Sequence, residues 1–158
     1  MAVHGDQDGS PNRRDVIAGV GGLFAAGIVL TPLAAEATPE AVADVVKKLT
    51  GGKEVKAGKV ILSVPQIAEN GNTVPLKVNV DSLMSGSDFV RAVHIYADGN
   101  PAPDVATFNF SPMSAKVEVQ TRMRMAKTQN VIAIAQMSDG TFFSSQAEVK
   151  VTIGGCGG

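Results

Sequence analysis

The sequence predicts an all-β fold: an immunoglobulin-like antiparallel β-sandwich of about seven strands, with a short N-terminal helix and a flexible C-terminal glycine-rich arm. Three observations predict it. From Gly58 onward apolar residues recur at every second position, the runs are rich in Val, Ile and Phe, and turn-forming clusters separate them at short intervals. The chain has 158 residues, 44% of them apolar, enough for one domain and hardly two. With 14 basic against 15 acidic side chains and no block of like charge, it is not built as a nucleic-acid or anionic-membrane platform. One Cys and two His cannot close a four-ligand structural zinc site, so no metal centre is expected.

Residues 1–37 read as an export signal. A polar stretch ends in Arg13-Arg14, an uncharged apolar run covers 16–35, and Ala35-Glu36-Ala37 is a small-x-small cleavage site. The arginine pair resembles a twin-arginine signal, although Asn12 stands where Ser or Thr is usual. Cleavage after Ala37, favoured over a retained anchor by Pro32 and the alanines, leaves a mature chain beginning at Thr38 in an oxidising compartment, the periplasm, with no stable membrane association. Residues 38–52 then form the helix and its cap. Thr38 is a good N-cap and Pro39 loses no hydrogen bond at the first helical position. Val42, Val45, Val46 and Leu49 make one apolar stripe, and Gly51-Gly52 ends it.

The sandwich domain spans 58–153, with strands expected at 59–64, 74–81, 89–97, 105–110, 115–125, 130–137 and 141–153. The turns between them are Asn70-Gly71-Asn72, Ser85-Gly86-Ser87, Asp98-Gly99-Asn100-Pro101, Ser111-Pro112 and Asp139-Gly140, the last reading as a hairpin. The clearest alternation sets Lys116, Glu118, Gln120, Arg122 and Arg124 on a wet face, against Val117, Val119, Met123 and Met125 on a core face. Met84, Met113, Met123, Met125 and Met137 are expected as core filler rather than a copper site. His94 shares its face with Val90, Ala92 and Tyr96 and is expected as a core or interface residue. Strand 90–96 is apolar on both faces, so something must cover it.

After Val149, Val151 and Ile153 the chain reads Gly154-Gly155-Cys156-Gly157-Gly158. Four glycines leave the thiol without neighbouring side chains and the backbone with wide conformational freedom, so residues 154–158 are expected to hang in solvent as an arm. An exposed thiol in an oxidising compartment invites oxidation, so a chain that places its only Cys there has a use for it. Catalysis needs a thiol held in place and activated by a cationic neighbour or helix N-terminus, and the sequence offers neither. A carrier needs only narrow flanks and a backbone that each visited enzyme can shape. The plain alternative is a periplasmic binding or structural module whose tail Cys is incidental or makes a crosslink.

The pentapeptide behind a twin-arginine-like signal and a β-rich domain resembles the SoxY family of sulfur carriers in Sox thiosulfate oxidation. Residues 82–110, with Val93-His94-Ile95-Tyr96-Ala97 and Asn100-Pro101, and residues 128–141, with Met137-Ser138-Asp139-Gly140, are similar to that family as well. The resemblance implies a non-catalytic carrier without a cofactor, holding sulfur intermediates covalently and transiently on Cys156. It implies a heterodimer with SoxZ, with residues 90–96 as candidate interface, and visits to SoxAX, SoxB and, where present, SoxCD. A ubiquitin-like carrier, loaded as a thiocarboxylate on Gly158, is disfavoured because the helix here precedes every strand.

Overall fold

The computed structural model describes residues 37–155. One helix, α1 (Pro39–Thr50), precedes nine strands: β1 (Val55–Ala57), β2 (Val60–Ser63), β3 (Ile67–Ala68), β4 (Val74–Val80), β5 (Val90–Ala97), β6 (Asp104–Asn109), β7 (Val117–Met123), β8 (Gln129–Met137) and β9 (Phe142–Val151). They form two sheets packed as a sandwich. The larger runs β1-β9-β8-β5-β6 with β3 added on β9, and the smaller runs β2-β4-β7. The seven expected strands are β2 and β4 to β9. The other two, β1 and β3, are too short to show a period of two, and both pair parallel to β9, so the fold is not wholly antiparallel.

The core between the sheets is filled by Val74, Leu76, Val78 and Val80 from β4, Val117, Val119 and Met123 from β7, and Val131, Ala133, Ala135 and Met137 from β8. The wet face of β7 carries Glu118, ion-paired to Lys77 at 3.2 Å and Lys116 at 2.6 Å; both lysines pull its carboxyl below the usual carboxylate range. Met84, Met123, Met125 and Met137 are core residues, as the sequence suggests, whereas Met113 is 94% exposed. It sits in the loop between β6 and β7, where no strand periodicity turns a side chain inward.

The outer face of the larger sheet is apolar too, and α1 covers it. Thr38 caps the helix by accepting the Ala41 N–H at 3.2 Å, and Gly51 leaves it with φ of 63°. The stripe then brings Val42 onto Tyr96, Ile134 and Phe142, with Val45, Val46, Leu49, Val55 and Ile132 around them. Burying Val42 contributes about 1.5–3 kcal/mol, and the half-buried Val45, Val46 and Leu49 add to it, which is what holds so short a helix in place. The cover demanded by strand 90–96 is thus partly the chain's own helix.

Val90 corrects the expected pattern. The β5–β8 register slips between Val90 and Ala92, so Val90 turns into the core with Val93 and Ile95 while Ala92, His94 and Tyr96 keep the outer face. The Asp139-Gly140 hairpin forms as expected: Gly140 has φ of 80°, and Asp139 Oδ1 accepts the Thr141 N–H at 2.8 Å.

Candidate functional site

Strand β9 carries the chain to one end of the sandwich, and three loops meet it there. The first, residues 69–73, precedes β4; the second, 98–103, joins β5 to β6; the third, 124–128, joins β7 to β8. Thr152 is held at the end of β3 and the start of the first loop, its N–H donating to the Ala68 carbonyl at 3.1 Å and its hydroxyl to the Glu69 carbonyl at 2.8 Å. Thr128 Oγ1 accepts the Val151 N–H at 3.0 Å. Ile153 is then 67% exposed, and Ile67, opposite Lys150 on the neighbouring strand, is 60% exposed.

Beyond Ile153 the backbone remains engaged. The Gly71 N–H donates to the Ile153 carbonyl at 2.7 Å, the Gly155 N–H donates to the Met125 carbonyl at 2.8 Å, and the Met125 N–H donates to the Gly71 carbonyl at 2.8 Å. The sequence suggests that Gly154 and Gly155 begin a free arm; instead these two residues are held against the neighbouring loops, and the rest of the expected arm lies outside the described residues. Their glycine is a matter of space rather than of conformational range, since neither has φ in the left-handed region. A Cβ on Gly154 would overlap the Ala126 carbonyl oxygen, and one on Gly155 would overlap the Gly71 carbonyl and the Asn72 nitrogen. Gly71 is equally constrained, its missing Cβ falling on the Met125 carbonyl and 2.7 Å from the Gly155 nitrogen.

The wall formed by Met125 and Ala126 is fastened by Asn100, which the sequence marks as a turn residue and as part of the family resemblance but gives no role, and by Gln129, which it does not single out. Asn100 Nδ2 donates to the Arg124 carbonyl at 2.9 Å, and its Oδ1 accepts the Ala126 N–H at 3.0 Å and Gln129 Nε2 at 2.8 Å. Gln129 is only 4% exposed; its Oε1 accepts the Gly99 N–H at 2.8 Å, and its Nε2 also reaches the Lys127 carbonyl at 3.1 Å. An amide in the turn after β5 and another opening β8 were the signal available, but nothing in their spacing shows that they meet.

Cys156, Gly157 and Gly158 lie outside the described residues, as do Arg13, Arg14 and Ala35. Ala37 is buried, with its N–H on the Asn100 carbonyl at 2.9 Å. His94 is not part of this end. It stacks on Tyr96 with ring centroids 6.4 Å apart on the outer face of β5, and its Nδ1 lies 3.0 Å from Thr107 Oγ1, while the buried Nε2 has no hydrogen-bond partner among the described residues. Burial pushes its pKa below the usual imidazole value; the Gln136 side chain and the Asp104 charge pull the other way. Arg122 donates to Thr73 Oγ1 at 3.3 Å on the small sheet. Among the described residues no three His, Cys, Asp or Glu side chains gather. A largely apolar groove of about 300 Å³ opens between α1 and the outer face, lined by Val42, Val46, Ile132 and Gln146 among others.

The family model for sulfur oxidation protein SoxY matches residues 46–156, well over half of the chain and through Cys156 itself. Among solved structures, the sulfur carrier protein SoxY from Chlorobium limicola f thiosulfatophilum is 32% identical, with 71% of this chain and 96% of that one covered and a TM-score of 0.58. A superoxide reductase (neelaredoxin) from Ignicoccus hospitalis is 16% identical over 73% of this chain and 94% of its own, with a TM-score of 0.54. One from Nanoarchaeum equitans is 13% identical over 60% and 99%, with a TM-score of 0.51. At such identities these two likenesses concern the fold alone. No sequence match to a curated protein was found.

Proposed function

The chain belongs to the SoxY family, and on that premise we propose that it is a periplasmic, non-catalytic carrier that holds thiosulfate-derived sulfur on Cys156. The observation that carries this reading is the family match running through Cys156, joined to a fold in which β9 delivers the preceding glycines to one end of the sandwich. Export by the twin-arginine route, through Arg13, Arg14 and cleavage at Ala35-Glu36-Ala37, places the carrier with its partners. SoxZ is its heterodimer partner.

The chemistry follows from sulfur bonded to sulfur. In the loading step, at the haem protein SoxAX, the Cys156 thiol and the outer sulfur of thiosulfate join in an S–S bond; the thiol proton goes to solvent and two electrons to the haem protein. Water then cleaves the bond between the sulfane sulfur and the sulfonate at SoxB, releasing sulfate and leaving a persulfide on Cys156. Where SoxCD is present, it oxidises that sulfur further with oxygen from water, passing the electrons on. A persulfide or thiosulfonate is open to attack by any thiolate, so keeping it tethered, rather than released, protects it and raises its concentration at the next enzyme. The protein needs no cofactor for this, because the chemistry belongs to the visited enzymes.

Intact mass of the mature chain after incubation with thiosulfate and partner enzymes tests the reading. Reductant-sensitive additions confined to the peptide containing Cys156, and lost in Cys156→Ser with the fold intact, are expected. The competing reading, a binding or structural module with a crosslinking Cys, predicts partner binding and thiosulfate-dependent activity unchanged in Cys156→Ser.

A further inference from the structure

We propose that Gly71, Met125 and Ala126 are positioning residues of the carrier arm: their backbones clamp Gly154 and Gly155, so that the tether of Cys156 has a short, closed form and a long, open one. The inference rests on the carrier reading of Cys156. Its basis is the closed ring of main-chain bonds, Gly71 to Ile153, Met125 to Gly71 and Gly155 to Met125, at 2.7 to 2.8 Å. Three glycines meet there, each with no room for a Cβ and none with the left-handed φ that would explain glycine on conformational grounds. A tether under no constraint but freedom would not need its glycines fitted against a carbonyl of another loop. Gly71 is the telling residue, since it is 85 positions from the thiol and yet a Cβ there would fall on the Met125 carbonyl that holds the arm and on the Gly155 nitrogen itself.

Closed, the clamp ends at Gly155, one residue step before Cys156, a reach of about 3.5 Å; open, the chain is free from Ile153, three steps before Cys156, and the reach is about 10 Å. The clamp uses only main-chain bonds at the edge of the sandwich, so it can open without disturbing the core. An enzyme whose reacting centre lies deeper than the short reach must draw on the open fraction, and its apparent affinity for the carrier falls by that fraction.

The experiment uses the full mature chain. Amide exchange at Gly155 and Gly71 is expected to be slowed together, on the order of thirtyfold for two such bonds. Gly71→Ala and Gly154→Ala, which attack the clamp from opposite sides, should each abolish the protection. Gly86→Ala, in a loop with nothing within 4 Å of the added methyl, should leave it intact. With SoxAX as the loading enzyme, the open variants should lower KM for the carrier by the same factor, on the order of thirtyfold, with kcat unchanged. Should Gly71→Ala fail to fold, Gly154→Ala alone decides the matter. A Gly155 amide that exchanges at the free-peptide rate in the native chain overturns the clamp, as do protection surviving both substitutions and an unaltered KM in the open variants. Absence of any addition on Cys156 in the native chain defeats the carrier reading instead, and leaves the exchange result standing.

Discussion

Replacing Asn100 by alanine strips three hydrogen bonds from the loops at the arm end of the sandwich. The Arg124 carbonyl loses its donor, while the Ala126 N–H and Gln129 Nε2 lose their acceptor. A net bond of this kind contributes about 0.5–1.5 kcal/mol, so three together come to about 3 kcal/mol. Water recovers part of the loss at the half-buried ends. Gln129 is 4% exposed and keeps only its Gly99 and Lys127 contacts, so its share is not recovered. The expected destabilisation is therefore about 2–3 kcal/mol, a large part of the ~5–15 kcal/mol that holds a domain together. In urea, with a slope of about 1–3 kcal/mol/M, the midpoint should fall by about 1–2 M at unchanged slope. Gln129→Ala and the double variant complete a cycle in which the two losses overlap by about 1 kcal/mol or more. A loss below about 0.5 kcal/mol, or strictly additive single losses, would refute the claim that these two amides fasten the 124–128 loop as a unit.

Three further outcomes are expected. Leu76, 1% exposed in the core face of β4, should cost about 2–5 kcal/mol when truncated to alanine, read from the same urea midpoints; a cost under 1 kcal/mol would place it outside the packed interior. Gly140→Ala forces a side chain into φ of 80° and should cost about 1–2 kcal/mol, whereas Gly86→Ala, with no positive φ, should be nearly neutral. His94 gives the chain a pH dependence. Its folded pKa lies below the 6.5 of the free imidazole, so the unfolded chain takes up the proton first as pH falls. The stability it confers is complete above about pH 6.5 and is lost as pH falls through the folded value. His94→Asn should flatten the urea midpoint between pH 7.5 and 5.5, and an unchanged slope in that window would sink the argument.

The strand order and the arm end emerge from different kinds of information. Thr38, Pro39 and Gly51 mark α1, Asp139-Gly140 marks the last hairpin, and the alternation from Lys116 to Met125 marks β7, because each signal acts over a few residues of one chain segment. The SoxY resemblance is legible for the same reason, since the pentapeptide around Cys156 is a local string. β1 and β3 leave no such trace. They are strands only because β9 offers an unpaired edge, and edge pairing is not written in two or three residues. Val90 reaches the core through a register slip that its own alternation does not predict.

Gly154 and Gly155 show the division most directly. Taken alone, a glycine pair before a cysteine means freedom, since conformational range is the one property glycine has within its own segment. Its other property, the absence of a Cβ, has consequences only where another piece of backbone comes near. The sequence by itself determined the sandwich, the helix that covers it and the family resemblance that singles out Cys156. Only the tertiary structure, by bringing Gly71 and Ala126 against residues far along the chain, decided that the same two glycines are a point of attachment, because steric exclusion between distant segments exists only after the chain has folded.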